Sequence, residues 1–450
     1  MAKQQKLVLI ISILASFVAF LDGSVVNVAL PAIMRELGGG LAGQQWVVDA
    51  YLISLGSLIL IAGSLSDLYG RKKVLVTGLI GFAVASLLCA LAPNDTFLII
   101  SRGIQGLAGA LLVPSSLALI ISAFRGPAQS KAIGTWTGWT GISFLIGPVL
   151  GGFLVQTTTW RLIFAINIIP IAITLWLLRS LKQPARSETK PHVDIKGALL
   201  CIVGLGGSVF ALIEYAHYGW TSPVIYVPLI LGVLSSATFI WYEDRTKHPM
   251  LPLGLFKVRN FLVGNIATIS IYAGLSVATF LVVIFVQQVA GYSALQAGLS
   301  LLPVTLIMFF LSPKFGGLAG KFGPRFFMAI GPIIAGAGFL IMLRVSQPIN
   351  YWSQLFPGVM VFGLGLSMTV APLTSAVLGA VKSSQAGISS AVNNAVSRIA
   401  GLIGIAAIGV VVGENVSLQG FHRGITAIAL LLVLGGAISF IGIRNPTKNQ

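Results

Sequence analysis

Long apolar runs alternate with short polar or Gly/Pro-rich breaks along the whole chain. A bilayer core about 30 Å thick requires about 20 mostly apolar residues in each spanning α-helix. The runs of sufficient length predict an all-α integral membrane protein with fourteen transmembrane helices, which we call spans 1 to 14. The predicted spans cover residues 7–30, 46–66, 74–92, 97–124, 131–155, 162–179, 196–215, 223–241, 260–288, 294–312, 326–344, 352–379, 385–412 and 422–443.

Composition indicates a membrane environment for most of the chain. The 450 residues are 56% hydrophobic and 9% charged, with a mean hydropathy of +0.95. These values exclude an ordinary soluble globular protein, and no polar stretch is long enough for a separate soluble domain. The run 7–30 exceeds the core of a signal peptide and lacks a small-residue cleavage site, so we keep it as span 1.

The formal net charge of +17 comes from basic residues that stand in small groups between the apolar runs. Such groups make poor phosphate-tracking surfaces, so no nucleic-acid partner is expected. With both termini in the cytoplasm, the outer loops hold only four basic residues, as the positive-inside rule requires. These are Arg35, Arg161, Arg344 and Arg423. The pattern predicts cytoplasmic termini, an even number of spans and a multi-pass protein of the cytoplasmic membrane.

A repeated segment divides the chain. The segment 63–72 (GSLSDLYGRK) follows span 2, and 316–325 (GGLAGKFGPR) follows span 10 with the same glycine spacing. We therefore predict an N-terminal six-helix bundle at 1–181, two inserted transmembrane helices with their loops at 182–258, and a C-terminal six-helix bundle at 259–450. Duplicated bundles with a path for small molecules between them are the usual architecture of secondary transporters.

Several motifs carry a resemblance to one family. Span 1 contains 21–31 (LDGSVVNVALP), the loop after span 2 contains 63–73 (GSLSDLYGRKK), span 4 contains 102–109 (RGIQGLAG), and span 5 contains 147–152 (GPVLGG). The chain resembles the major facilitator superfamily, specifically its fourteen-helix drug:proton antiporters, over nearly its whole length. Further similar features are 249–256 (PMLPLGLF), 294–298 (ALQAG), and Asn393 and Asn394 with Arg398.

The resemblance implies the major facilitator fold and a monomeric, proton-coupled antiporter, not an enzyme. It would export hydrophobic, often cationic drugs or biocides by alternating access, with protons and membrane lipids as its other partners. The sequence has no Walker loop, so a proton gradient and no cofactor would supply the energy. The alternative is a dedicated exporter of a single metabolite, siderophore or antibiotic. A channel or membrane enzyme would need uncoupled flux or a catalytic cluster that the sequence lacks.

Ionisable groups at membrane depth are the first functional candidates, because each costs roughly 2.5 to 3.5 kcal/mol to insert. Asp22 lies well inside span 1 and is predicted to bind and release the coupled proton. Arg102 in span 4 is a candidate for its switching partner. Asp49, near the outer end of span 2, is a second candidate for proton binding. Exposure at the membrane interface would lower the cost of placing its charge there. The alternatives are a permanently locked Asp22 and a static clamp at Arg102.

Three polar side chains are predicted to line the substrate path, because they project from spans 1 and 4, which are expected to line the central path. They are Asp22, Asn27 and Gln105. Two cysteines, Cys89 and Cys201, lie inside apolar runs and the four histidines are scattered. Neither a disulfide framework nor a metal site is therefore indicated.

Conformational roles are predicted for two segments. In span 5, the small residues allow another helix to approach closely and the proline permits a bend, although close packing alone would also explain the glycines. The loop after span 2 is predicted to act as a breakable latch in which Asp67 accepts from Arg71 or faces a helix N-terminus. The candidates are Gly63, Asp67, Gly70, Arg71, Gly147, Pro148, Gly151 and Gly152.

Secondary candidates lie in span 13. Asn393, Asn394 and Arg398 occupy one helical neighbourhood, so they either line the path or satisfy one another. The second copy of the loop has Gly320 where the first has Asp67, which predicts that an acidic latch operates only in the N-terminal half.

Overall fold

A computed structural model describes residues 3–181, 193–381 and 385–445, without the side chains of Asp67, Pro127, Ser130 and Ala386. The described residues are almost entirely α-helical. The helices are α1 (Lys3–Leu37), α2 (Gly40–Tyr69), α3 (Arg71–Ala90), α4 (Asp95–Ala123), α5 (Gly126–Thr157), α6 (Leu162–Ala165), α7 (Ile168–Arg179), α8 (Ile195–Tyr218), α9 (Pro223–Arg245), α10 (Arg259–Gln288), α11 (Ala294–Ser300), α12 (Leu302–Phe322), α13 (Pro324–Ile341), α14 (Phe356–Gly379), α15 (Ala386–Val412) and α16 (Leu418–Gly442).

The fourteen predicted spans are confirmed, because fourteen helical segments of the described chain are long and apolar enough to cross a membrane. Most of these helices extend a few residues beyond the apolar runs, since polar residues continue the helix into the interface. Two spans are interrupted. Span 6 divides into α6 and α7 around Asn167, and span 10 divides into α11 and α12 at Leu301.

Helix ends follow local chemistry. Asn94 caps α4 by accepting a hydrogen bond from the Phe97 amide at 2.8 Å, and Ser417 caps α16 by accepting from the Gly420 amide at 3.0 Å. Glycine ends two other helices: φ is +96° at Gly70, between α2 and α3, and +88° at Gly323, between α12 and α13. The repeated segments therefore form the same helix break in both halves.

The chain forms two compact units. The first comprises residues 1–208, 227–250 and 293–295, and the second comprises 209–226, 251–292 and 296–450. In the first unit, α4 packs against α1, α2 and α3, while α1 also packs against α5 and α7. In the second unit, α14 packs against α12 and α13, and α16 packs against α10 and α13. The sequence-based division at 181/182 and 258/259 stays a prediction.

Small residues set the helix spacing in the second unit. A Cβ atom at Gly365 of α14 would overlap the Ala335 amide nitrogen of α13 and lie 2.6 Å from the Gly331 carbonyl oxygen. A Cβ at Gly338 would lie 2.6 Å from the Phe362 amide nitrogen. Backbones this close gain dispersion contacts that larger side chains would prevent, which is how membrane helices associate without a hydrophobic driving force.

We predict that Gly365→Ala destabilises the purified protein by about 1 to 3 kcal/mol, because the added methyl forces α13 and α14 apart. The measurement is the apparent Tm in detergent. Gly317→Ala on α12 is the matched control, since a Cβ there meets no atom within 4 Å. Equal Tm values for the two variants would contradict the close packing of α13 and α14.

Candidate functional site: a buried ion pair in the first unit

Asp22 lies near the middle of α1 and is fully buried, with 0% of its surface exposed. Its Oδ2 accepts a 2.5 Å hydrogen bond from Nη1 of Arg102, which makes a charged pair. Its Oδ1 accepts from Nε2 of Gln105 at 3.0 Å and from Nδ2 of Asn167 at 2.8 Å. Three donors on three different helical segments therefore converge on this buried carboxyl group.

Arg102 is the largest buried cation of the first unit, with 1% of its surface exposed. Its Nε donates to the Val47 carbonyl oxygen at 3.0 Å, and its Nη1 also donates to Oε1 of Gln105 at 2.5 Å. The guanidinium carbon lies 4.4 Å from the centre of the Tyr51 ring and 5.7 Å from that of Phe164. Acceptors and aromatic faces thus replace the water that a guanidinium normally binds.

A second layer of polar groups orients the amides. Nε2 of Gln105 donates to Oγ of Ser86 at 2.9 Å, and Nδ2 of Asn167 reaches the same oxygen at 3.4 Å. The Cys89 thiol lies 3.7 Å from Oε1 of Gln105. Residues from α1, α2, α3, α4 and the α6–α7 junction therefore form one buried network, which we call the Asp22 network.

The local sequence explains how α4 and α2 approach closely enough to form this network. Arg102 and Gln105 are three residues apart, so they share one face of α4. A Cβ at Gly106 would overlap the Tyr51 carbonyl oxygen, and a Cβ at Gly109 would lie 3.1 Å from the Tyr51 hydroxyl. The glycines of the 102–109 motif thus remove the side chains that would hold α2 away from Arg102.

Asp49 is buried elsewhere on α2, with 0% of its surface exposed. Asp49 is two residues from both Val47 and Tyr51. Successive residues of an α-helix are about 100° apart, so the Asp49 side chain projects from the other side of α2. Neither Oδ1 nor Oδ2 has a hydrogen-bond partner among the described residues. The prediction that Asp49 is exposed at the membrane interface is wrong. Although Asp49 lies near the end of its span, the packing around α2 buries its side chain.

The structure brings together some of the predicted site residues and separates others. Asp22, Arg102 and Gln105 meet in one network. Asn27 lies further along α1, half-buried, and no described group donates to its Oδ1. The predictions missed Asn167 and Ser86. Asn167 is the only strongly polar residue of the run 162–178 after Arg161, which is a signal that the sequence does contain.

The α5 glycines pack against α1. A Cβ at Gly147 would overlap the Ser24 hydroxyl, and a Cβ at Gly151 would lie 2.6 Å from a methyl carbon of Val25. Ser24 and Val25 follow Asp22 by two and three residues, so the α1–α5 contact lies beside the network. Pro148 lies inside α5. A Cβ at Gly152 would lie 2.6 Å from the Ala294 carbonyl oxygen, within the same unit.

The loop after α2 connects to other helix ends through its basic residues. Nη1 of Arg71 donates to the Ala118 carbonyl oxygen of α4 at 3.1 Å, and Nζ of Lys72 donates to the Leu181 carbonyl oxygen at 2.7 Å. A Cβ at Gly63 would meet no atom within 4 Å. The predicted partnership of Asp67 with Arg71 lies outside the described residues.

One of the span 13 candidates, Asn393, bonds to a neighbouring helix. Nδ2 of Asn393 donates to Oδ1 of Asn265 at 3.0 Å and to Oγ1 of Thr268 at 2.9 Å, both on α10. Asn393 therefore connects α15 to α10 through its side-chain amide. Arg398 lies half-buried near the middle of α15.

Comparison with known families identifies the fold to which this network belongs. The family model described as Major Facilitator Superfamily matches residues 12–405. The chain belongs to the major facilitator superfamily. It is therefore a transporter rather than an enzyme, and a multi-pass protein of the cell membrane.

The relatives of this major facilitator chain include drug and antibiotic resistance proteins. It is 34% identical over 93% of its length to the multidrug resistance protein Stp of Mycobacterium tuberculosis, of which it covers 78%. It is 35% identical over 90% of its length to the methylenomycin A resistance protein of Bacillus subtilis, of which it covers 87%. The puromycin resistance protein pur8 of Streptomyces alboniger is 31% identical, with 88% of this chain and 80% of that protein covered.

Solved structures confirm the major facilitator fold. The inward open xylose transporter XylE from E. coli superposes with a TM-score of 0.68 at 14% identity, covering 98% of this chain and 97% of that chain. A bacterial homologue of the human lysosomal transporter Spinster superposes with a TM-score of 0.70 at 15% identity, with the same coverage. At these identities the likeness concerns the fold alone.

We predict that Arg102→Met lowers stability by about 3 to 5 kcal/mol, because it leaves Asp22 ionised and buried without its counter-ion. Adding Asp22→Asn removes the orphaned charge, so the double variant should be more stable than Arg102→Met alone. Apparent Tm values of Arg102→Met, Asp22→Asn and the double variant in detergent test this expectation. Additive losses would show that the two side chains do not interact as a charged pair.

Proposed function

We propose that this chain is a proton-coupled antiporter that exports hydrophobic, often cationic drugs across the cytoplasmic membrane by alternating access. The observation that carries the proposal is the Asp22–Arg102 pair, a buried titratable charge in the first unit of a chain whose relatives confer drug and antibiotic resistance. Charged groups at membrane depth are costly and are retained where they serve transport.

Protonation of Asp22 would change the network in a defined way. The neutral carboxylic acid has lost the charge that holds Arg102, and one of its oxygens becomes a donor. Arg102 keeps its charge and its contacts with Val47 and Tyr51. Proton binding at Asp22 therefore weakens the attachment of α1 to α4, and proton release restores it. Gln105 and Asn167 keep the carboxyl group in place during this exchange.

Asp49 is the second proton carrier in this proposal. Its carboxyl oxygens are buried without hydrogen-bond donors among the described residues, an environment that penalises the ionised form. Asp22, in contrast, accepts from three donors. The unit thus contains one buried acid with donors and one without them among the described residues, so the two carboxyl groups would bind a proton at different stages of a cycle.

Cargo would compete with the proton for the Asp22 network. A lipophilic cation is attracted to a deprotonated carboxylate and repelled from a site whose acid is neutral beside Arg102. Asn27, with an acceptor oxygen that no described group occupies, extends the polar path along α1. The contact between α1 and α5 at Gly147 and Gly151 lies close to Asp22. Protonation of Asp22 would therefore influence how α1 packs against α5.

A proton gradient supplies enough free energy for this exchange. Each charge that crosses a potential of 100 mV gains about 2.3 kcal/mol. Each pH unit adds about 1.4 kcal/mol. One proton per cycle would sustain a cargo gradient of tens-fold to hundreds-fold, so no cofactor is needed. The working unit in this proposal is a monomer in contact with membrane lipids.

The second candidate is a dedicated exporter of one antibiotic or metabolite. It is favoured by relatives whose names specify single compounds, methylenomycin A and puromycin. Both candidates use the same network and the same energy source, so they differ only in the range of cargo.

We predict that Asp22→Asn abolishes cargo-induced proton movement in proteoliposomes, because the amide cannot bind and release a proton. A pH-sensitive dye measures proton movement after cargo is added across an imposed pH gradient. Glu36→Gln is the control on the same helix, since Glu36 is half-exposed and pairs with Arg161. Undiminished proton movement in Asp22→Asn would remove Asp22 from the coupling mechanism.

The range of cargo separates the two candidates. Everted vesicles that contain the protein should accumulate several chemically unrelated lipophilic dyes when energised, and a protonophore should abolish the accumulation. Vesicles with Asp22→Asn provide the baseline. Energised uptake of a single compound from the panel would instead support the dedicated exporter.

A further inference from the structure

An open groove lies in the second unit, between the end of α15 and the start of α16. Its volume is about 570 Å³, within the range of about 300 to 1,000 Å³ that small-molecule sites occupy. Its lining combines two kinds of side chain. The apolar part comprises Val410, Val411, Ala427 and Leu430, and the polar part comprises His422, Arg423 and Thr426.

The polar and apolar residues that α16 contributes to the groove are separated along the helix. His422 and Arg423 lie in its second turn. Ala427 and Leu430 follow Arg423 by four and seven residues, so they share its face of the helix. At 1.5 Å per residue, Leu430 lies about 10 Å further along the axis than Arg423. The α16 side of the groove is therefore basic at one end and apolar at the other.

The basic end of the groove lies near the surface of the membrane. With 25 residues, α16 is about 38 Å long, which exceeds a hydrocarbon core about 30 Å thick. Arg423 is the sixth residue of α16 and the second of the apolar run 422–443. It thus lies where the headgroups meet the hydrocarbon, on the side that charge alternation predicts to be outer. Leu430 lies within the hydrocarbon.

The protein uses only part of the Arg423 guanidinium. Nη2 donates to the Val412 carbonyl oxygen at the end of α15, at 3.3 Å, and the side chain is otherwise exposed. Neither Nε nor Nη1 donates to an acceptor among the described residues. The nearby acid Glu414 is exposed in the α15–α16 loop and does not line the groove. Membrane orientation does not explain this charge, since the positive-inside rule favours basic residues on the cytoplasmic side.

Contacts with neighbouring segments hold the basic end of the groove in place. Nε2 of His422 lies 2.9 Å from the Val345 carbonyl oxygen, which can only accept, so Nε2 donates. Phe421 stacks on Phe285 of α10, with ring centres 3.7 Å apart. The first turns of α16 are therefore fixed before any ligand binds, and the free donors of Arg423 are presented beside an apolar channel.

We propose that this groove binds one phospholipid with an anionic headgroup from the outer leaflet. Nε and Nη1 of Arg423 donate to the phosphate, which guanidinium binds in a bidentate geometry. An acyl chain lies along Ala427 and Leu430. The headgroup matches the charge of the groove and the chain matches its apolar lining, so one amphipathic molecule satisfies both. The inference does not depend on the proposed transport function.

Native mass spectrometry of the purified full-length protein in detergent tests the headgroup contact. The probes are phosphatidylglycerol and phosphatidylcholine with identical acyl chains, and the unmodified protein should bind one phosphatidylglycerol more tightly. We expect Arg423→Gln to weaken phosphatidylglycerol binding about tenfold, because a charged hydrogen-bond donor is lost. Phosphatidylcholine, which has no net charge, should lose less.

Arg35→Gln is the matched control for the loss of charge. Arg35 is also exposed and also lies on the predicted outer side, but it belongs to the first unit. It should leave phosphatidylglycerol binding unchanged. Equal losses in Arg423→Gln and Arg35→Gln, or no preference of the unmodified protein for phosphatidylglycerol, would overturn the proposal.

A second variant tests the apolar part without changing any charge. Ala427→Phe fills the groove beside Arg423, so it should weaken phosphatidylglycerol binding about as much as Arg423→Gln does. Leu434→Phe is the control, since Leu434 is an exposed residue of the same helix outside the groove lining.

Glycerol phosphate, a soluble probe without acyl chains, separates a lipid site from a site for free phosphate. It should bind far more weakly than phosphatidylglycerol. Equally tight binding of glycerol phosphate would overturn the lipid assignment, as would unchanged lipid binding in Ala427→Phe. None of these measurements requires transport, so a failure of the transport proposal would leave their results interpretable.

Discussion

The buried pairing of Asp22 with Arg102 is the constraint on which the first unit depends. Neither side chain can remain ionised in this interior alone, so the helices that carry them must stay together or exchange partners. The glycines of α4 and α5, the amides of Gln105 and Asn167, and the ring of Tyr51 all serve this requirement. Helix packing and the pairing of the buried charges are therefore governed by the same few atoms.

Much of the fold could be predicted from the sequence, because hydropathy reports directly on which segments can cross a bilayer. The positions of all fourteen spans followed from this property. The breaks at Asn167 and Leu301 did not follow from hydropathy, because hydropathy does not record backbone hydrogen bonding; each break precedes a proline, Pro170 or Pro303, that lacks an amide donor. Asn167 lies at the α6–α7 junction, and its side chain reaches Asp22, a partner 145 residues away in the chain.

The site was predictable only in part. Asp22, Arg102 and Gln105 stood out because a polar group in an apolar run has few inexpensive roles. Which of them would meet depended on the rotation of each helix, and one sequence contains little information about rotation. Asp49 shows the limit: its depth in span 2 suggested exposure, whereas neighbouring helices cover it completely. Asn393 likewise donates across to α10, a partner that the sequence of α15 alone does not indicate.

The breaks at Gly70 and Gly323 have a consequence for how the protein can vary. A Cβ at Gly70 would meet no atom within 4 Å, so nothing in the packing forbids a larger residue there. The backbone forbids it instead, because φ is +96° and only glycine adopts that conformation without strain. Mutational tolerance at this position is therefore low although the space around it is open, and no compensating change in a neighbouring side chain can restore it.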